Sequence, residues 1–390
     1  VPALLLFAAV LTAAINLRAG MASVGAVLDD VVAHYGAPAS LGGVITAMPG
    51  AMFCIFGLCA VPLARRAGLS PTLLLAGVAT AAGLALRPFA PLMSLFILAT
   101  VSVAGGIAMV NVLLPAWIKK YGGRHMVVLT ATYSVTLSVS AAMGPLSALF
   151  TDSWQVALGV WASTAVLQVA VWAVVARTAG RDRPQPGTAQ AAGEPARGIH
   201  RSPTAVALMV FFGLQSMNAY VQMGWLPSML TQQGVAASTA ALGLALIGIL
   251  GAGGGLLLPM AVARMRSLAP LVLAFGLASA AGYLGILFAA AAAPIWWCVL
   301  LGLGGWCFPL AIALMPARTR TVLGTARLSG FVQPVGYILA AAGPLLVGVA
   351  YGRIGTFGPI LVALTVLSLM MGVLGIVASR KVFIEDELAR

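Results

Sequence analysis

The sequence predicts an all-α membrane protein of twelve transmembrane helices arranged as two pseudo-symmetric six-helix bundles. Three observations predict it: a composition of 61% hydrophobic and 7% charged residues, a train of apolar windows, and a one-sided distribution of Lys and Arg among the loops. Soluble domains are about 45–50% apolar and about 25% charged, so the composition excludes a soluble globular class.

A spanning helix needs about 20 mostly apolar residues. Punctuation by charge, Gly and Pro divides the chain into twelve such windows. The first runs 2 to 28 and stops at Asp29 and Asp30; the second, 39 to 62, stops at Pro62 before Arg65 and Arg66. The third, 70 to 87, ends on Arg87-Pro88, and the fourth, 92 to 118, on Lys119 and Lys120. The fifth, 125 to 150, and the sixth, 154 to 176, flank Asp152. The seventh opens near Pro203 and covers 204 to 230; the eighth, 239 to 262, ends before Arg264 and Arg266. The ninth, 268 to 291, and tenth, 295 to 316, meet at Pro294; the eleventh, 322 to 350, and twelfth, 356 to 379, meet around Arg353.

Cations gather on cytoplasmic loops. One alternating set of loops holds Arg65 and Arg66, Lys119, Lys120 and Arg124, Arg177, Arg181, Arg183, Arg197 and Arg201, Arg264 and Arg266, and Arg318 and Arg320. The other set holds Arg87 and Arg353. Both termini are therefore expected inside, in a multi-pass protein of the bacterial cytoplasmic membrane. This bias accounts for the net charge of +13, and no nucleic-acid partner is expected. The lipid bilayer and a small-molecule substrate are the expected partners, the chain is read as a monomer, and no cofactor or metal is expected. Cys54, Cys59, Cys298 and Cys307 fall inside windows, where packing is a simpler reading than a disulfide or metal site.

The polar stretch "RTAGRDRPQPGTAQAAGEPARGIHRSP" divides the chain into a bundle of residues 1–176, a cytoplasmic linker of 177–203 and a bundle of 204–390. Rich in Pro, Gly and charge, it reads as a flexible connection. Landmarks recur across it: Pro62 and Pro259 are 197 residues apart, and Gly144-Pro145 in "AAMGPLSAL" and Gly343-Pro344 in "AAAGPLLVG" are 199 apart. An internal duplication predicts such a register.

Twelve spans in two repeats around a basic central loop resemble the major facilitator superfamily of secondary transporters. The turn "LARRAG" resembles its cytoplasmic signature, which implies a cytoplasmic gate at Arg65 and Arg66, although the signature's usual acid is missing here. "NLRAGMASVGAVL", "GGIAMVNVLLPAWIKK", "GLGGWCFPLAIAL" and "LSGFVQPVGYILAAAGP" together resemble the cyanate permease and 2-nitroimidazole transporter family across nearly the whole chain. Members usually carry Pro where this chain has Ala19.

Arg18 is the first candidate site residue. A charge near the bilayer centre costs about 2.5 to 3.5 kcal/mol on insertion scales and normally faces a partner. All eight acids, Asp29, Asp30, Asp152, Asp182, Glu194, Glu385, Asp386 and Glu387, fall in loops or tails. Either Arg18 awaits an anionic or electronegative substrate, to which it offers a planar fork of donors, or it clamps helix ends by hydrogen bonds. Asn16 points to another sector and reads as a substrate residue or a tie to a neighbouring helix.

In helix seven, Phe211, Gln215, Asn218, Gln222 and Trp225 recur at steps of three and four, which puts them on one face. That face lines a cavity or a polar helix contact. The superfamily's cavity, bordered by helices one, four, seven and ten, makes the cavity the favoured expectation. Asn111, Trp306, Gln333 and Tyr337 complete the candidate substrate set. Gly144, Pro145, Gly343 and Pro344 read as bends that let the halves rock. Trp117, Trp154, Trp225, Trp296 and Trp297 lie near window ends, where interfacial anchoring is expected, which leaves Trp225 two roles. No nucleophile and base can be placed together in the membrane, so no enzyme is expected. The function read from these residues is alternating access around Arg18 for a small anion or small polar planar solute such as cyanate. A nitroimidazole or drug exporter is the alternative, and a non-transporting membrane sensor or scaffold is a third.

Overall fold

A computed structural model describes residues 2–180, 182, 198–320 and 322–388. Twelve long helices make up most of them: Ala3–Asn16 continued by Ala19–Ala26, Ala39–Ala67, Leu69–Leu86, Met93–Tyr121, Met126–Leu146, Trp154–Ala179, Pro203–Gln232, Ala237–Arg264, Ala269–Ala289, Pro294–Gly304 continued by Cys307–Ala317, Val322–Ile354 and Gly358–Ala378. Among the described residues, 11 of these are long and apolar enough to cross a membrane. The remaining one is helix five, Met126–Leu146, with 21 residues. Helix two runs past its apolar window because Arg65 and Arg66 occupy its last turn, where cations suit the helix dipole. Most of the expected linker, residues 181 and 183–197, lies outside the described residues.

Helices one and ten are broken, which apolar windows do not reveal. In hydrocarbon an interrupted helix must have its freed backbone groups satisfied by neighbours. Helix one breaks at Leu17-Arg18, and Ser140 of helix five spans the gap: its hydroxyl donates to the Ile15 carbonyl and accepts from the Ala19 N–H at 2.9 Å. The break therefore forms with Ala19, and without a proline, after Arg18. Helix ten breaks at Gly305-Trp306; Gln215 Nε2 donates to the Gly305 carbonyl at 3.3 Å and Trp306 Nε1 to the Leu250 carbonyl at 2.8 Å. Ser140→Ala strands one donor and one acceptor, and the expected loss of about 2 kcal/mol will be visible as a lower melting temperature of the purified protein. An unchanged melting temperature would show that the break holds without Ser140.

Within helices one to six, helix three packs on four and six, and helix one on five and six; within seven to twelve, helix seven packs on eleven and twelve, and nine on ten and twelve. The groups meet where helix two crosses eleven, five crosses eight, and the second segment of helix one crosses seven. Two close approaches mark this seam. A Cβ on Gly25 would stand 1.8 Å from the Met223 carbonyl oxygen, and one on Gly43 would stand 3.1 Å from the Gly348 Cα. Both lie at the end of the bundle that carries Asp29 and Asp30. Consistent with a seal there, Val24, Val27, Leu28, Val31 and Ile45 join an apolar core built mainly from helices seven to twelve, whereas Leu84, Trp117 and Trp172 belong to a separate core.

Three sequence expectations need correction. Arg87, read as a loop cation, is fully buried: its guanidinium donates to the Gly20 carbonyl at 2.9 Å and sits 5.8 Å from the Phe96 ring centroid. Asp182, read as linker, is buried as a cap on helix three, where its carboxylate accepts from the Ser70 N–H at 2.9 Å, the Ser70 hydroxyl at 2.7 Å and the Tyr121 hydroxyl at 3.0 Å. Trp117, Trp154 and Trp225 are buried in packing rather than anchored at an interface; Trp117 Nε1 donates to Ser70 and Trp225 Nε1 to the Pro344 carbonyl. An indole N–H at a helix end can serve a buried acceptor as well as water, and the sequence alone does not distinguish the two.

Candidate substrate site

Arg18 caps the second segment of helix one with backbone angles of −128° and −41°, so the break places its side chain at mid-bundle. There it lines a narrow cavity with Leu17 and Met21 of helix one, Pro49 and Phe53 of helix two, Ala104 and Ile107 of helix four, and Tyr220 and Met223 of helix seven. The cavity is small in this conformation, about 10 Å³. Among the described residues no carboxylate lines it. Tyr220 of helix seven is the phenol that lines this cavity with the guanidinium. Tyr133 donates to Asn111 Oδ1 at 3.3 Å. Phe53 stacks on Tyr337, with centroids 5.1 Å apart and planes 24° apart, which joins helices two and eleven beside the cation.

Of the expected residues Arg18 lines the cavity, Tyr337 stacks on its lining residue Phe53, and the Asn111 amide donates to the carbonyl of its lining residue Ile107 at 3.3 Å. Gln333, four positions before Tyr337 on helix eleven, is half-buried, and its amide donates to the Ser329 hydroxyl at 2.9 Å. Asn16 goes to its second reading: its oxygen accepts from Thr164 of helix six at 2.7 Å and its amide donates to the Thr12 carbonyl. The helix-seven amides are likewise engaged as polar helix contacts. Asn218 accepts from the Tyr283 hydroxyl at 3.0 Å, Gln222 donates to the same oxygen at 3.1 Å, and Gln215 serves the break in helix ten. Trp306 serves the same break. Gly144 packs against helix one, where a Cβ would meet the Ala19 carbonyl oxygen at 2.7 Å, and Pro145 lies in the last turn of helix five. Gly343 packs on Met217, and the Pro344 carbonyl accepts from Trp225. Arg65 and Arg66 are exposed at the end of helix two.

Sequence reasoning missed Phe53, Tyr133 and Tyr220. Their signal was position: Tyr133 and Tyr220 sit in mid-window, where interfacial anchoring does not explain a phenol.

At the sealed end Ser228 of helix seven donates to Asp29 Oδ1 at 2.9 Å, a link between the two helix groups. Burial raises the Asp29 carboxyl above its usual range, the Ser228 hydrogen bond opposes the rise and Asp30 adds to it. A carboxyl whose pKa is higher in the sealed arrangement than in water, where it is about 4, favours that arrangement below the raised value and stops favouring it as pH rises through it. Spin labels at Ala33 and Ala236 are therefore expected to lie closer together on acidification, and Asp29→Asn to remove that dependence.

Twelve long helices in two packed groups, with a cation-bearing cavity at their seam, are the architecture of a membrane transporter. The family model of the Major Facilitator Superfamily matches residues 6–344. A 2-nitroimidazole transporter of Escherichia coli (strain K12) is 32% identical over 383 residues, covering 97% of this chain and 96% of the relative. The cyanate transport protein CynX of the same organism is 25% identical over 349 residues, covering 88% and 89%. Among solved structures, a bacterial homolog to the human lysosomal transporter Spinster, in an inward-facing and unoccupied conformation, superposes with a TM-score of 0.75 at 16% identity, covering 99% of this chain and 95% of that one. The chain belongs to the major facilitator superfamily, and within it to the cyanate permease and 2-nitroimidazole transporter family.

Proposed function

We propose that this transporter moves a small anion or small polar planar solute, cyanate-like in size and charge, by alternating access around a central site containing Arg18. It works as a monomer of two six-helix bundles, residues 1–176 and 204–390, joined by a cytoplasmic linker and with both termini inside. The Gly-Pro pairs of helices five and eleven serve as its bends and Arg65 with Arg66 as part of its cytoplasmic gate. By the positive-inside rule the sealed end with Asp29 is external, so the arrangement described above is inward-facing.

The observation that carries the reading is a guanidinium in a cavity that, among the described residues, no carboxylate lines. A lining without a carboxylate leaves the charge uncompensated, and an entering anion compensates it. An inside-negative potential opposes anion entry by about 2.3 kcal/mol per 100 mV. With no carboxylate among the described lining residues, the routes proposed are anion exchange, entry of the protonated substrate, or export down the potential. The mainly apolar remainder of the lining, Leu17, Met21, Phe53, Ile107 and Met223, favours a second reading, export of an uncharged planar heteroaromatic.

The test is thermal stabilisation of the purified protein, and flux in proteoliposomes, with cyanate and with 2-nitroimidazole, for wild type and Arg18→Gln. Anion binding and flux that disappear with Arg18 support the first reading. Stabilisation of both proteins by the nitroimidazole supports the second. Binding without flux for either solute points to a sensor.

A further inference from the structure

We infer that the segment after helix twelve supplies the acidic half of the cytoplasmic gate: Asp386, held by Arg320 in this arrangement, becomes the acceptor of Arg65 and Arg66 when the cytoplasmic end closes. The inference rests on the gate reading of Arg65 and Arg66 above and adds to it the group that they meet.

After helix twelve the chain folds back into a short helix, Ile384–Leu388, that grips two elements of the second half. On one side the Ile384 N–H donates to the Arg318 carbonyl at 3.0 Å and the Arg320 N–H to Glu385 Oε1 at 2.9 Å. The Arg320 guanidinium donates to Asp386 Oδ2 at 2.8 Å and lies 4.8 Å from the Phe383 ring centroid. On the other side Glu387 caps helix seven: it accepts from the Ser202 hydroxyl, the Thr204 N–H at 3.1 Å and the Thr204 hydroxyl at 2.7 Å. The tail is thus fixed to the loop between helices ten and eleven. Thr319, whose hydroxyl is 2.6 Å from that of Thr325, ties this loop to the start of helix eleven.

Helices two and eleven meet in antiparallel register, with Gly43 against Gly348, Gly50 against Ala341 and Phe53 stacked on Tyr337. By Gly57 the neighbour is Val112 of helix four instead, so the pair has parted on the cytoplasmic side. Arg65 and Arg66, two turns further on, are exposed. Continuing the register on closure brings them to the first turns of helix eleven, where Arg320, Arg327 and the positive end of the helix also lie. Like charges gathered there repel, so closure needs an acid. Among the described residues four acids lie at this end. Asp182 is buried on helix three and Glu387 is taken up by helix seven. Glu385 uses one oxygen on the Arg320 N–H and its other oxygen is buried. Asp386 remains: its side chain is 48% exposed and stands on the loop that leads into helix eleven, where Arg320 can share it with an arriving guanidinium.

Spin labels at Ala33 and Ala236 report the alternation, because the external end opens as the cytoplasmic end closes. The proteins compared in proteoliposomes at low salt are wild type, Asp386→Asn, Arg320→Gln, and the double variant Arg65→Gln with Arg66→Gln, the last with and without Asp386→Asn. Asp386→Asn is expected to lower the long-distance population about twofold to fivefold, the range of an exposed ion pair, and to have no further effect in the double arginine variant. High salt is expected to shrink the difference between wild type and Asp386→Asn. Arg320→Gln is expected to raise the long-distance population, since it frees the acid and removes a repelling cation. A tail that needed docking alone would be loosened by both changes, so shifts of Asp386→Asn and Arg320→Gln in the same direction overturn the inference. An Asp386→Asn effect that survives loss of both arginines overturns it too. Cross-linking of Arg66→Cys to Gly324→Cys by a short bifunctional thiol reagent, in a chain whose 4 cysteines are replaced by alanine, tests the gate reading separately. Without a cross-link that reading falls; with one, and no effect of Asp386→Asn, only the role of the tail is removed.

Discussion

Arg18→Gln is expected to weaken cyanate binding by at least a hundredfold while the protein stays folded. A hydrogen bond to a charged group contributes about 1.5–3 kcal/mol, and a guanidinium offers two in parallel to a small oxyanion. Losing both, and the charge behind them, removes about 3–6 kcal/mol, and each 1.4 kcal/mol is tenfold in affinity. The fold is expected to tolerate the change because the break in helix one is spanned by Ser140, not by Arg18. The protein without anion should therefore melt as wild type. Arg18→Lys keeps the charge and loses the planar fork, so it should fall between the two. A clear drop in melting temperature without anion, together with unchanged anion binding, would make Arg18 a structural clamp.

The bilayer makes part of this architecture legible in a sequence and hides the rest. Twelve apolar windows and the loop cations can be read directly because hydrocarbon demands continuous helices and orients them by charge. Arg18 is equally visible because a mid-membrane cation is costly. The periodicity of Gln215, Asn218 and Gln222 correctly put them on one face of helix seven, yet a helix apolar on every side gives no direction for that face. Tyr283 and the carbonyl at the break in helix ten receive those amides, and neither is adjacent in sequence. Arg87 looked like any window-ending cation, although its guanidinium turns inward to the Gly20 carbonyl. Tyr133 and Tyr220 carried no cost signal, because a neutral phenol passes for an ordinary aromatic until its neighbours are known.

Gly25→Val is expected to prevent closure at the Asp29 end and to stop turnover while leaving Arg18 and its cavity residues in place. The backbone oxygen of Met223 stands where the new Cβ must go, 1.8 Å away, and a carbonyl cannot swing aside as a side chain can. Relief requires helix seven to back away from helix one. Overpacking of this kind costs about 1–3 kcal/mol, and at the upper end it moves a balanced two-state equilibrium by about a hundredfold. Spin labels at Ala33 and Ala236 should then report a longer distance at every pH, and anion flux should fall in proportion to the lost closed population. Gly255→Ala is the control, since a Cβ there meets nothing within 4 Å and should change neither reading. Unaltered flux and distance in Gly25→Val would mean that the seam yields elsewhere, and that the contact between helices one and seven is not what holds the external end shut.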